Sequence, residues 1–270
     1  MSLTNSHLQR LYQGYLNTQV LWESNPVLGL NQLHFDYDST LLFKRTLHKQ
    51  LRLGQLAEQF VFNQLEQFED CRILAENIQI QKEKQTLGEL DALIELEENP
   101  IHLEIVYKFY LYDDTLGTSE IERWIGPNRN DSLIEKLTKL KNKQLPLLYS
   151  SYCKSTLEVF NLNTETFQQR VLFKAQLFIP YQKTILCKQL NKNCINGFYI
   201  NREQLNDFNS CEFYIPSKLD WFLNVDNSEH WLDIESFKIE AEVFLVQSKS
   251  PLIWIKKQDG TLLKSFLVWW

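Results

Sequence analysis

Glycine, proline and methionine are scarce in this chain: eight, seven and one in 270 residues. Collagen-like and low-complexity architectures, which are built on glycine and proline, are thereby excluded. Long hydrophobic runs are missing as well. Nothing approaches the roughly 20 consecutive apolar residues of a membrane-spanning helix. Met1 to Asn17 has no apolar block ahead of a small-residue cleavage site, so it does not read as a secretory signal. Paired cysteines are absent. Cys71, Cys153, Cys187, Cys194 and Cys211 are odd in number, widely spaced and without a CxxC, which leaves ordinary packed or surface thiols rather than a disulfide framework or zinc knuckle. Nor is there an excess of positive charge: 28 Lys and Arg stand against 34 Asp and Glu, a net −6. A dedicated nucleic-acid binder usually presents a broad basic face, so this balance leaves room only for a local basic groove. The expectation is a soluble, cytoplasmic protein with no membrane partner.

What the chain does have is core-forming material, 44% hydrophobic and 13% aromatic, enough for one large domain or two small ones. Residues 4–22 place Leu8, Leu11, Tyr12, Tyr15, Leu16 and Val20 on one helical stripe, and residues 52–68 do the same with Leu53, Leu56, Ala57, Phe60 and Phe68. The period then drops to two over 73–80, 88–96 and 101–111, which predicts three strands. Ser132-Leu-Ile-Glu135 opens a predicted helix over 132–144 with a capping-box pattern, and Pro146 closes it. RVLFKAQLFI at 170–179 suits a strand covered on both faces. Beyond residue 182 the chain reads as short strands at 197–200, 212–215, 252–256 and 262–269, with a helical piece at 236–246 and a hairpin turn at Gln258-Asp259-Gly260. The expected fold is α/β: N-terminal helices and a core over 1–181, then a β-rich extension over 182–270, with a mixed sheet flanked by helices.

Two strands carry the chemistry. Alternation puts Gly88, Leu90, Ala92, Ile94 and Leu96 on an apolar face and Glu89, Asp91, Leu93 and Glu95 on the other. In the next run Ile101, Leu103, Ile105, Tyr107 and Phe109 are apolar, and His102, Glu104, Val106 and Lys108 lie opposite. With a turn over Glu97 to Pro100, Leu96 is expected across from Ile101, Asp91 across from Val106 and Glu89 across from Lys108. Asp91 then becomes a diagonal neighbour of both Glu104 and Lys108. Two carboxylates and an ammonium on one patch suit a hard cation such as Mg²⁺, held by the acids and by waters, with the lysine beside it. The same residues also suit an ordinary solvated hairpin face with a Glu89–Lys108 ion pair, and His102 reads as a polar-face or core histidine.

At these residues the chain resembles the PD-(D/E)xK, or restriction-endonuclease-like, nuclease superfamily: Gly54-x-x-x-Glu58 on a helix, Gly88-Glu89-Leu90-Asp91 on one strand and Glu104 on the next. RLG at 52–54, TLGELD at 86–91, HLE at 102–104, KFYL at 108–111, GPN at 126–128 and KNKQLPLL at 141–148 resemble, within that superfamily, an uncharacterised bacterial family known as a domain of unknown function, over about residues 8 to 222. The resemblance implies a restriction-endonuclease-like core of helix, three-strand antiparallel meander, helix and further buried strand. It implies metal ligands at Asp91 and Glu104 and at the carbonyl of Ile105, the helix glutamate at Glu58, and the acid of the GExD pattern at Glu89. The superfamily's lysine, two residues after the second acid, is here Val106. Lys108 lies two residues further on, on the same face.

The expected function is a Mg²⁺-dependent nuclease acting on DNA or RNA, with Asp91, Glu104, Lys108, Glu58 and Glu89 as its site. Lys136, Lys139, Lys141 and Lys143, with Arg123 and Arg129 before them, read either as a phosphate-binding cluster or as a solvated helix flank. Trp124, Gly126 and Pro127 read as a loop. The alternative is a catalytically inactive nuclease-fold protein that binds nucleic acid or a protein partner. INGFYI, KLDWF, LIWIKK and FLVWW in the C-terminal region are aromatic enough to form such a partner's surface, or to be core.

Overall fold

A computed structural model describes residues 4–23, 25–34, 41–158, 162–227 and 229–270. In chain order the elements are α1 (Asn5–Asn17), α2 (Leu53–Leu65), β1 (Cys71–Lys82), β2 (Gln85–Leu96), β3 (Asn99–Tyr112), β4 (Trp124–Ile125), α3 (Leu133–Lys139), α4 (Ser151–Glu158), β5 (Gln168–Pro180), β6 (Ile195–Ile200), β7 (Glu212–Tyr214), α5 (Ile234–Leu245), β8 (Leu252–Lys256) and β9 (Leu262–Leu267). The fold is mixed α/β, with nine strands and five α-helices among the described residues. Two compact units interleave along the chain. One comprises Val20–Tyr107 and Glu135–Lys174; the other comprises Thr4–Gln19, Lys108–Ile134 and Ala175–Trp270.

In the first unit β1, β2 and β3 form the expected antiparallel meander. Its register differs from expectation by two residues. Leu96 pairs with Asn99 and Ile94 with Ile101, because the chain reverses at Glu97 and Glu98 alone. Both have positive φ, 49° and 64°, the backbone of a two-residue type I′ turn that strand twist favours and that asparagine and glycine usually occupy. A shift of two preserves each residue's face but changes its neighbour. The helix expected over 132–144 is α-helical only as α3. Leu140–Gln144 widens into a π turn and Leu145–Tyr149 tightens into a 3₁₀ turn, with Pro146 at its start. Pro146 has no N–H to give, and its ring collides with the carbonyl four residues earlier, so the helix cannot continue unchanged. Leu148, Cys153, Leu157 and Phe167 pack with Ile78, Ile80, Leu90 and Leu93 in one buried cluster. The polar face of the hairpin is therefore covered: Leu93, His102, Glu104 and Val106 are all buried.

The second unit holds the parallel pairs β5–β6 and β6–β9, the antiparallel pairs β9–β8 and β8–β7, and β4 against the end of β3. The turn at Gln258-Asp259-Gly260 forms as expected, closed by Lys257 and Thr261. The aromatic C-terminal segments are core: Phe213, Trp254 and Phe266 have no exposed surface, and Phe213 stacks on Phe237 of α5. Trp269 remains 37% exposed. Trp124, expected in a loop, is fully buried as part of β4. The GPN segment acts as a clasp, in which Asn128 accepts from Ser250 N–H at 2.8 Å and Pro127 O accepts from Trp270 Nε1 at 3.1 Å. Lys264 is a buried ammonium that donates to Gln176 Oε1, Trp221 O and Leu223 O at 2.7–3.0 Å. The five cysteines are free thiols. No described helix is long and apolar enough to cross a membrane.

Gly14, in the middle of α1, is a glycine for a packing reason. A Cβ there would run into the carbonyl oxygen of Phe222 and lie 2.7 Å from its carbonyl carbon. Alanine is favoured over glycine in a helix by about 1 kcal/mol, but overpacking against rigid backbone costs about 1–3 kcal/mol or more. Gly14→Ala is therefore expected to lower stability, as a fall in the urea midpoint. A rise in the midpoint would show that the helix moves away without loss.

Candidate active site

The site is assembled within the first unit on β2, β3, α2 and the helical segment 135–149. Asp91 stands where β2 is irregular on both sides. The ladder to β3 runs from Leu96↔Asn99 to Ala92↔Leu103 and stops. At the next step the Asp91 carboxylate itself accepts the Ile105 N–H at 2.8 Å. On the other side Asn77 of β1 lies between the pairs Glu76↔Ala92 and Ile78↔Leu90 with φ 53°, left-handed backbone inside a strand. Asparagine adopts this backbone more readily than most residues, so the irregularity comes at modest cost. The two-residue turn thus brings Asp91 to the level of Glu104, where Val106 was expected.

Glu104 has no exposed surface. His102 Nε2 lies 3.1 Å from its Oε1, and Gln144, carried on the π turn, donates to its Oε2. Gln144 Oε1 in turn accepts from Lys136 Nζ at 2.9 Å. Behind the histidine, Gln169 Nε2 lies 3.4 Å from His102 Nδ1 and also donates to Leu145 O. Glu58 of α2 is half-buried and joins the same group of charges.

Burial and mutual repulsion dominate the electrostatics. Burial first, then Asp91, Glu89 and Glu104, push the Glu58 carboxyl up to about 7. Burial and the neighbouring Glu104 push Asp91 up to about 7, against the opposing pull of the Ile105 N–H and Lys136. Burial likewise raises Glu104 to about 7, opposed chiefly by Lys136. Burial pushes His102 down to about 4, so its imidazole is neutral at physiological pH. Lys136 acts on all three raised acids, and Lys139 adds to it at Glu104.

The structure therefore brings together Asp91, Glu104, Glu58 and Glu89 from the expected set and adds Lys136, expected as a phosphate contact or as part of a solvated helix flank. Lys108 belongs to the second unit, where its ammonium pairs with Asp131 at 2.6 Å. Arg129, in that unit too, pairs with Asp113 at 2.9 Å and lies over the Trp270 ring at 4.3 Å. Lys139, Lys141 and Lys143 are exposed. Gln144 and Gln169 were missed from sequence. Gln144 could have been suspected from its place in KNKQLPLL, whereas nothing in the pattern marked Gln169. Among the described residues no three His, Cys, Asp or Glu side chains stand together as a complete ligand set. Asp91 and Glu104 are the two carboxylates that could serve an ion such as Mg²⁺, which keeps several waters and takes only one or two carboxylates from a protein.

The family described as "Domain of unknown function (DUF1853)" matches residues 4–265. No curated protein and no solved structure matches the chain.

Each raised acid holds a proton in the folded chain that the unfolded chain has already released. Between about pH 4 and pH 7 the folded state binds more protons, so these groups subtract stability as pH rises through that window. Glu58→Gln removes one member of the cluster. Its melting temperature is expected to exceed that of the wild type at pH 8 by about 2–4 °C, the shift of roughly 1 kcal/mol in a chain of this size. The gap should narrow at pH 5, and a constant gap at both pH values would contradict the assignment.

Proposed function

We propose that this chain, which belongs to the DUF1853 family, is a Mg²⁺-dependent phosphodiesterase of the PD-(D/E)xK type acting on DNA or RNA. The observation that carries the reading is the meeting of Asp91 and Glu104 on adjacent strands, with Glu58 beside them and Lys136 as the shared cation. Asp91 and Glu104 would hold the ion, with the carbonyl of Ile105 as a further donor. When bound, Mg²⁺ supplies a more acidic water and offsets charge on a phosphate under attack. The residues of the chain supply the rest. Lys136, restrained by Gln144, presents an ammonium to the charge that develops on the phosphate oxygens. Glu58 and Glu89 complete the acidic wall that orients water. Exposed Lys139, Lys141 and Lys143 continue from Lys136 as a local basic strip on which a phosphate backbone can lie. In this reading Lys136 takes the part that the sequence pattern assigned to Lys108.

One observation favours the second reading, a nuclease-fold protein that binds nucleic acid or a protein partner without cutting. The Glu104 side chain has no solvent-exposed surface, so an ion must gain access by a small local opening. Catalysis separates the two. Asp91→Ala is expected to reduce Mg²⁺-dependent cleavage of mixed DNA and RNA substrates by more than about 100-fold. Lys136→Met is expected to cost about 10²–10³-fold, the loss typical of one stabilising donor, and more than Lys108→Met. Equal cleavage by wild type and Asp91→Ala would refute the enzyme, and the reverse order of the two lysines would return the role to Lys108.

A further inference from the structure

The hydrogen bonds around Glu104 have directions that can be worked out from the outside inward. A carbonyl oxygen only accepts, so the Gln169 atom that bonds Leu145 O is the amide nitrogen. That nitrogen lies 3.4 Å from His102 Nδ1, and an amide N–H meeting a ring nitrogen requires that nitrogen to be the acceptor. His102 therefore carries its proton on Nε2, the atom 3.1 Å from Glu104 Oε1. The second side obeys the same logic. An ammonium only donates, so the Gln144 atom that bonds Lys136 is the oxygen, which turns the Gln144 NH₂ group toward Glu104 Oε2.

We infer that His102 with Gln169, and Gln144 with Lys136, are two positioning pairs that lock the Glu104 carboxylate in one orientation, each fixing the polarity of the donor it delivers. The inference rests on reading Glu104 as a metal ligand. Both carboxylate oxygens receive a donor, one from a ring seated inside the unit and one from the π turn. The carboxylate cannot rotate without losing both bonds, so its remaining lone pairs keep a constant aim. Partners of this kind behind a ligand typically change metal affinity or activity by 10–100-fold when removed. The π turn then has a purpose beyond accommodating Pro146, since it sets Gln144 at the height of Glu104.

The test uses the full chain with Mn²⁺ as the probe, followed by calorimetry, and ¹⁵N-labelled histidine followed by NMR. The His102 signals are assigned by their loss in His102→Gln. The expected results are the Nε2–H tautomer of His102 in the wild type and a 10–100-fold weaker Mn²⁺ affinity in Gln169→Leu and in Gln144→Leu. Gln169→Glu keeps the size but replaces the donor with an acceptor. It should convert His102 to the Nδ1–H tautomer and weaken Mn²⁺ as much as Gln169→Leu does. The inference is overturned if the wild type shows the Nδ1–H tautomer. It is equally overturned if both leucine variants bind Mn²⁺ like the wild type while Glu104→Gln does not. If the wild type itself binds no Mn²⁺, the metal reading fails separately, and the response of the tautomer to Gln169→Glu still decides whether the clamp exists.

Discussion

Everything at this site follows from placing the part-buried Asp91 beside the fully buried Glu104. Two carboxylates at adjacent strand positions repel each other, and burial deprives both of the hydration that would offset the repulsion. The fold compensates locally: the Ile105 N–H turns away from the sheet ladder to serve Asp91, and His102 and Gln144 serve Glu104. Lys136 supplies positive charge. These contacts reduce the penalty without removing it, since the acids remain raised to about 7. Clusters of groups with displaced proton affinities around a specific cation occur at sites of chemistry and in structural ion-pair networks alike.

Two local departures from regular geometry create that juxtaposition. The left-handed pair Glu97 and Glu98 shortens the hairpin connection, sliding Glu104 to the level of Asp91. The π turn over Leu140–Gln144 delivers Gln144, while the preceding turn of α3 delivers Lys136. The second departure answers to Pro146, which cannot continue a regular helix; the first carries a local cost. Two adjacent glutamates at positive φ are unfavourable, because only glycine, asparagine and aspartate visit that region readily. A regular four-residue turn would have given a more relaxed hairpin with Asp91 opposite Val106.

The parity of the strands, the meander, the two stripes of the early helices and the C-terminal hairpin were legible because periodicity reports them directly. Leu11, Tyr12, Tyr15 and Leu16 are buried as their spacing demands, and the strands at 195–200, 252–256 and 262–267 fall within a few residues of the pattern. The register was not legible, since a Glu-Glu type I′ turn carries no compositional mark. The closing of the polar face was hidden for another reason. Alternation distinguishes apolar from polar residues, not water from a neighbouring segment, and Glu104 and His102 are polar residues in a dry place. Lys136 looked like one of several lysines on an amphipathic helix, because its partner Gln144 becomes a neighbour only when the helix widens.

Lys136 and Lys264 are two partly or fully buried cations that the fold keeps in different ways. Lys264 is buried, has no ion-pair partner among the described residues, and is satisfied by one amide and two backbone carbonyls. That arrangement supports a fold by tying β9 to the chain around Trp221, and the cation needs no countercharge to do so. Lys136 has carboxylates within electrostatic reach and holds down the proton affinities of Glu58, Asp91 and Glu104. Its ammonium also donates to Gln144, whose amide in turn donates to Glu104. One cation thus tunes three acids at once, a part that Lys264, held by an amide and two carbonyls, does not play.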